Sequence, residues 1–300
     1  MSFLKQRINP LLAAAIILSV IVFVWGWFSS GLVFNGHKYP LSPAPDEFGL
    51  KYETVEFNTT NGITLKGWYV PAEKHSNTTI ILCHGWGTNK SDILPSTFAL
   101  NMRAGYNLLY FDFRNHGESG GNRTSLSRFE SEDVSAALAY LKKSKPAGSR
   151  HVGIYGLSMG ASAAIAAAAM HPEIEAVAAE SPFSSFNDII KRFAKLYYRL
   201  PEYPFVPVTL GFVRARLGFN PNDYAPEKYI ALISPRPLLL IQGEVDQRMP
   251  RQVGEKLYAA AGEPKELWVV KNADHAEAYF KMGRLYEIKL QRFFDKAFSK

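Results

Sequence analysis

The chain has 300 residues, 47% of them hydrophobic, enough to bury a sizeable core in one large α/β domain or two small ones. Its formal charge of +7 comes from dispersed Lys and Arg, with no basic run interleaved with aromatics, which argues against nucleic acid as a partner and leaves attraction to anionic lipid headgroups open. A single cysteine, Cys83, excludes an intrachain disulfide, and no internal repeat or low-complexity tract is present.

In chain order, Lys5 and Arg7 precede an apolar stretch from Leu11 to Phe28, about the length that spans a bilayer as a helix. Trp25 and Trp27 lie near its outer end, where indole rings favour the membrane interface. The competing reading is a cleaved signal peptide, which normally has a shorter apolar region and a small-residue cleavage site; Ser29-Ser30-Gly31 is a poor one. The expectation is an uncleaved, single-pass signal anchor over residues 1–35. Its N-terminus lies in the cytoplasm and the domain of residues 36–300 lies outside; secretion after cleavage is the alternative. Asn35 to Pro45, with His37, reads as a linker stiffened by Pro40, Pro43 and Pro45.

Lys51 to Phe57 and Ile63 to Val70 alternate around Asn61-Gly62, the signal of a β-hairpin. Thr78 to Cys83 is a strand that buries the thiol, Ser91 to Arg103 a helix capped by Ser91 or Asp92, and Tyr106 to Phe111 a strand. Ser125 to Lys143 is a long amphipathic helix. His151 to Tyr155 is a short apolar strand, followed by Gly156-Leu157-Ser158-Met159-Gly160 and the alanine-rich helix Ala161 to Met170. Strand, tight turn and helix are the setting that G-x-S-x-G needs to act as a nucleophile elbow; a purely structural Gly-Ser-Gly turn is the alternative.

Ile174 to Ala179 continues the strands. Residues 182–233 then interrupt the alternation with helical stretches around Asp188 to Arg199 and Val208 to Leu217, rich in Phe and Tyr. An insertion of this length reads as a lid over an active site, although its aromatics also serve to pack it onto the core. Pro237 to Ile241 and Glu266 to Val270 are strands around a helix near Gln252 to Ala261, and a final helix covers about Ala276 to Ala297. An antiparallel start followed by alternating strands and helices implies a mostly parallel, doubly wound α/β sheet, which binds ligands beyond the carboxyl ends of its strands.

A serine nucleophile needs a base, and the base an orienting acid. His275 follows the last strand on a loop and is the candidate base. Asp246, beyond the strand ending at Ile241, is the candidate acid; Glu180 competes, Glu244 reads as structural, and Asp274 is placed awkwardly beside His275. The oxyanion needs two backbone N–H donors. Met159 follows the nucleophile, and Trp86 sits in His84-Gly85-Trp86-Gly87 after a strand. His84 reads as a loop brace, and no Cys/His cluster supports a metal at His84 and His116.

Together His84–Gly87, Asp112–Gly120, Gly156–Gly160, Gly243–Asp246 and Ala273–His275 resemble, in order, the motifs of the α/β-hydrolase superfamily over roughly residues 50–300. The chain particularly resembles bacterial, membrane-anchored relatives of the serine aminopeptidase, prolyl-oligopeptidase-like and abhydrolase-domain groups. The resemblance implies an α/β-hydrolase fold, hydrolysis through an acyl-enzyme and no cofactor, with Asp112–Gly120 a structural turn. The expected activity is that of a carboxylesterase or acyl lipid hydrolase on an ester or thioester. A peptidase or amidase on the same triad is the first rival, with Glu180 or Glu202 to hold a substrate amino terminus. A catalytically silent binding or scaffold protein is the second.

Overall fold

The computed structural model describes residues 9–36, 38–126 and 128–299; Lys5, Arg7, His37 and Ser127, on which expectations above partly rest, lie outside them. The strands are β1 (Glu53–Asn58), β2 (Thr64–Val70), β3 (Thr78–Cys83), β4 (Asn107–Phe111), β5 (His151–Leu157), β6 (Ile174–Glu180), β7 (Leu238–Gly243) and β8 (Lys265–Val270). They form one eight-stranded sheet in the order β1-β2-β4-β3-β5-β6-β7-β8. The β1/β2 and β2/β4 pairs are antiparallel and all the others parallel. β3, β4 and β7 are buried along their whole length, as continuous apolar strands covered on both faces must be.

Eleven helices are assigned among the described residues: α1 (Pro10–Leu32), α2 (Leu94–Thr97), α3 (Ala99–Met102), α4 (Arg128–Ser144), α5 (Met159–Met170), α6 (Phe186–Tyr198), α7 (Phe205–Leu217), α8 (Pro226–Tyr229), α9 (Arg251–Ala260), α10 (Ala278–Met282) and α11 (Arg284–Phe298). One core lies between the sheet and α4, α5 and α9, through residues such as Ile154, Ile165 and Leu257. The other lies under α2, α3 and α11, through Ile80, Leu100 and Phe294. The small side chains of α5 let it sit against β5 and β6 buried from Met159 to Ala168.

Several helix boundaries differ from expectation, two of them because side chains claim the backbone first. The helix expected from Ser91 begins at Leu94 and is split at Phe98. Its leading N–H groups are used elsewhere: Lys90 N donates to Asp112 Oδ1 (2.8 Å) and Ser91 N to Asn89 Oδ1 (2.9 Å). The helix expected from Ser125 begins at Arg128, because Leu126 has φ 55° and Ser125 N–H binds Glu130. The final helix breaks into α10 and α11 at Gly283, whose φ of 50° and ψ of −123° are not helical. In the insertion, α6 starts earlier than expected because Ser185 Oγ caps Asp188 N, and Pro207 is accommodated in the first turn of α7. α1 is long and apolar enough to cross a membrane, with Leu11, Ile16, Ile17, Ile21 and Phe23 all more than half exposed.

Candidate active site

Register brings the site together. Cys83 on β3 pairs with Gly156 on β5, so the loop after β3 lies beside the elbow. Gly243 on β7 pairs with Val270 on β8, so the loops carrying Asp246 and His275 leave the sheet side by side. The chain crosses from β4 to β5 on the far side of β3, so the crevice between β3 and β5 is a topological switch point, where open α/β sheets bind ligands.

Ser158 links β5 to α5 with φ 54° and ψ −112°, a strained conformation for a residue with a side chain. Its N–H is fixed on Glu180 O at 2.8 Å. The turn is tight enough that a Cβ on Gly160 would meet Cys83 O at 2.2 Å, so only glycine lets α5 approach β3 this closely.

Ser158, His275 and Asp246 form a hydrogen-bonded line. His275 Nε2 is 3.0 Å from Ser158 Oγ, and His275 Nδ1 is 2.8 Å from Asp246 Oδ2. A carboxylate on Nδ1 selects the tautomer in which Nδ1–H donates to Asp246 and Nε2 faces the hydroxyl as acceptor. Asp246 is buried and also accepts from Met249 N (2.7 Å), Arg248 N (2.9 Å) and Gln242 Nε2 (3.3 Å), which aim the carboxylate.

The other acids are engaged elsewhere. Asp274 Oδ1 accepts from Gln247 N (2.9 Å) and His275 N (2.7 Å), clamping the two loops together; these backbone donors, Gln247 first, hold its carboxyl below the ordinary range. Glu244 Oε2 accepts from Asn272 N (3.0 Å), so it also braces those loops. Glu180 is buried on the phenols of Tyr155 (3.0 Å) and Tyr286 (2.5 Å), and burial pushes its pKa up. Glu202 pairs with Lys191 at 2.6 Å.

Trp86 and Met159 line a narrow cleft of about 40 Å³ together with Ser158 and His275. The loop carrying Trp86 is stapled from below. His84 Nδ1–H donates to Gly85 O (2.7 Å) and His84 Nε2 accepts from Phe113 N (3.0 Å), while His116 Nε2 accepts from Gly87 N (3.2 Å). Burial lowers the His84 pKa far below the usual value, which keeps this brace neutral. The same environment raises the pKa of the Cys83 thiol, which makes it inert. The turn after β4 holds the loop from the other side: Lys90 Nζ donates to Asp112 Oδ2 (2.6 Å) and Glu118 Oε2 (2.8 Å), all anchored on the chain at Asp112.

Next to the cleft lies an apolar cavity of about 370 Å³. Trp86, Leu126, Ile189, Phe193 and Arg248 line both. Sequence reasoning named none of Leu126, Ile189 or Arg248, because nothing in an isolated apolar residue or a solvated arginine marks it as cavity wall. Among the described residues no acidic side chain lines the cleft or this cavity, and no His/Cys/Asp/Glu cluster has the makings of a metal site.

A family model of X-Pro dipeptidyl-peptidase (S15 family) matches residues 62–196. The uncharacterized YqkD of Bacillus subtilis (strain 168) is 33% identical over 236 residues, covering 78% of this chain and 76% of that protein. The uncharacterized YfhR of Escherichia coli (strain K12) is 29% identical over 234 residues, covering 76% and 74%. Among solved structures, the Pyrococcus furiosus esterase Pf2001 is similar with a TM-score of 0.74 and 26% identity, over 87% of this chain and 98% of that one. The fold alone is shared with the α/β-hydrolase GrgF of Penicillium (TM-score 0.66, 22% identity, 84% of this chain and 100% of that one).

Proposed function

This chain belongs to the α/β-hydrolase superfamily of serine hydrolases, in one family with YqkD, and on that premise we propose that it cleaves carboxylic esters or thioesters through an acyl-enzyme at Ser158. The observation that carries this reading is the line Ser158–His275–Asp246 at a narrow cleft that shares its wall with an apolar cavity. His275 Nε2 takes the Ser158 proton as Oγ bonds to the acyl carbon, and the N–H groups of Met159 and Trp86 receive the negative charge on the carbonyl oxygen. The ester C–O or thioester C–S bond then breaks, and the leaving group departs with the proton from His275. Water attacks the acyl carbon and gives a proton to Nε2, the Oγ–C bond breaks, and Ser158 recovers its hydrogen as the carboxylic acid leaves. Asp246 stabilises the imidazolium formed in each half. No cofactor enters.

The partial match to the X-Pro dipeptidyl-peptidase family favours a second reading, peptide or amide cleavage on the same residues. The apolar lining argues for esters, since Glu180 and Glu202 are both engaged away from the cleft and leave a substrate ammonium without a carboxylate. A fluorophosphonate probe is expected to label the protein, and Ser158→Ala to abolish labelling. Labelling that persists in that variant refutes the nucleophile, and an unlabelled wild type favours the silent binding protein. Aryl esters are expected to be turned over faster than aminoacyl anilides; the reverse order selects the peptidase.

A further inference from the structure

The apolar cavity beside Ser158 is not closed by the insertion alone. Part of its wall is α1: Trp25, Ser29 and Leu32, with Val33 just beyond the helix, line it together with Phe193, Tyr198 and Thr209. Nor is α1 a loose tether. Ser29 Oγ and Thr209 Oγ1 are 2.9 Å apart, and Arg216 Nη2 donates to Trp27 O at 2.9 Å with its guanidinium 4.2 Å over the Trp27 ring. Trp25 meets Tyr198 edge-on at 4.8 Å, and Phe23 meets Phe212 at 5.0 Å. Val22, Gly26 and Ser30 form the buried stripe, spaced one turn apart, Trp25, Ser29 and Leu32 beside it are half-buried, and Ile17, Ile21 and Val24 stay exposed.

Resting on the acyl-transfer reading, we propose that α1 is a working wall of an acyl chamber, and that the chamber receives the acyl chain of a membrane lipid. Three observations fix the occupant. The lining is mostly apolar, Ser29 and Thr209 satisfy each other, and the one charged side chain, Arg248, belongs to the part of the wall shared with the cleft at Ser158. At about 30 Å³ per water-sized group, the cavity seats roughly a dozen methylenes, far more than a short soluble ester supplies. The helix that forms the wall presents its opposite faces, with Ile17, Ile21 and Val24 more than half exposed, as a lipid-facing surface, so a chain leaving the bilayer along α1 is already at the chamber. A leader removed by cleavage would open this chamber to water and uncover Phe212 on α7.

The test uses the full chain in detergent and in phosphatidylcholine vesicles, comparing kcat/KM for p-nitrophenyl decanoate and acetate. Leu32→Trp, which fills the chamber from α1, is expected to lower the decanoate-to-acetate ratio at least tenfold, and Leu32→Ala to move the preferred chain length upward. Ile17→Trp, on the exposed face, is expected to keep the wild-type ratio. In vesicles the wild type is expected to release fatty acid from embedded monoacylglycerol faster than Leu32→Trp does. Fluorophosphonate labelling at Ser158 reports the folded site in each variant; should Leu32→Trp lose it, the chain-length profile of Leu32→Ala decides. A labelled protein whose ratio is the same in all three variants, or that cleaves decanoate but not the embedded lipid, overturns the chamber alone. A wild type that is not labelled overturns the acyl-transfer reading beneath it.

Discussion

Asp246 and Glu180 both stand at the carboxyl edge of neighbouring strands, and their hydrogen-bond partners set them apart. Asp246 accepts from N–H groups only, including those of Met249, Arg248 and His275, and these donors aim its carboxylate at the imidazole. Glu180 is buried with Tyr155 and Tyr286, whose hydroxyls are 2.9 Å apart, and burial raises its pKa despite these phenols and the nearby Ala278 N–H. A carboxyl whose pKa is higher in the folded chain than its unfolded value of about 4.3 binds extra proton in the native state. Its stabilising contribution is therefore complete below the unfolded value and is lost as pH rises through the folded one. Glu180→Gln, which keeps an oxygen for both phenols, is expected to flatten the decline of Tm across that window. It is expected to leave esterase activity within a few-fold of wild type, whereas loss of a triad acid costs on the order of 10⁴ in kcat. Parallel Tm curves would mean that Glu180 is ionised throughout, and a 10⁴-fold loss would make it the orienting acid.

Between residues and the whole lie the strand ends, where the loops of the site are held by close backbone contact as well as by the bonds of Asp274 and Glu244. A Cβ on Gly243 would stand 2.5 Å from Ala273 O and 2.7 Å from Asp274 O, both backbone atoms of the loop that carries His275. Gly243→Ala is expected to push that loop away from Ser158. Displacements of about 1 Å cost on the order of 10²-fold, so kcat/KM and the rate of fluorophosphonate labelling should fall by about that factor while circular dichroism stays unchanged. A wild-type labelling rate would show that the two loops hold their places independently. This level of organisation was largely legible in the chain. Runs such as Thr79–Cys83 and Leu238–Ile241 announce buried strands by local composition, and Ser158, Asp246 and His275 each follow such a strand, so a parallel sheet brings them to one edge. Helix starts were less legible, because Lys90 and Ser125 engage Asp112 and Glu130, and the Asp112 contact spans about twenty residues of chain that no local pattern encodes. The packing of α1 on α7 was not read at all. Apolar residues look alike whether they face lipid or protein, and only the Val22, Gly26 and Ser30 spacing carried a signal.

At the scale of the whole molecule, the distribution of charge and aromatics around α1 bears on where the catalytic edge sits. Lys5 and Arg7 precede the apolar helix, while Lys38 is the sole Lys or Arg in the dozen residues after it, a bias from which we propose that the N-terminal flank lies in the cytoplasm. α6 runs beside the outer end of α1, joined to it by the Trp25–Tyr198 contact, and turns Ile189, Ile190 and Phe193 toward the cavity. Its other face carries Lys191, Arg192 and Lys195, and its end exposes Tyr197 and Tyr198 close to Tyr203, side chains that favour the headgroup level. With α1 across the bilayer in the proposed orientation, this surface would meet the outer interface. On that proposal the α/β-hydrolase domain lies outside the cytoplasmic membrane. Protease added to intact cells or right-side-out vesicles carrying the full chain should digest the domain and leave a fragment containing α1 with the membrane. Digestion only after the membrane is broken would reverse the orientation, and recovery of the intact domain in the medium would show that α1 is cleaved and that the wall it provides is lost on secretion.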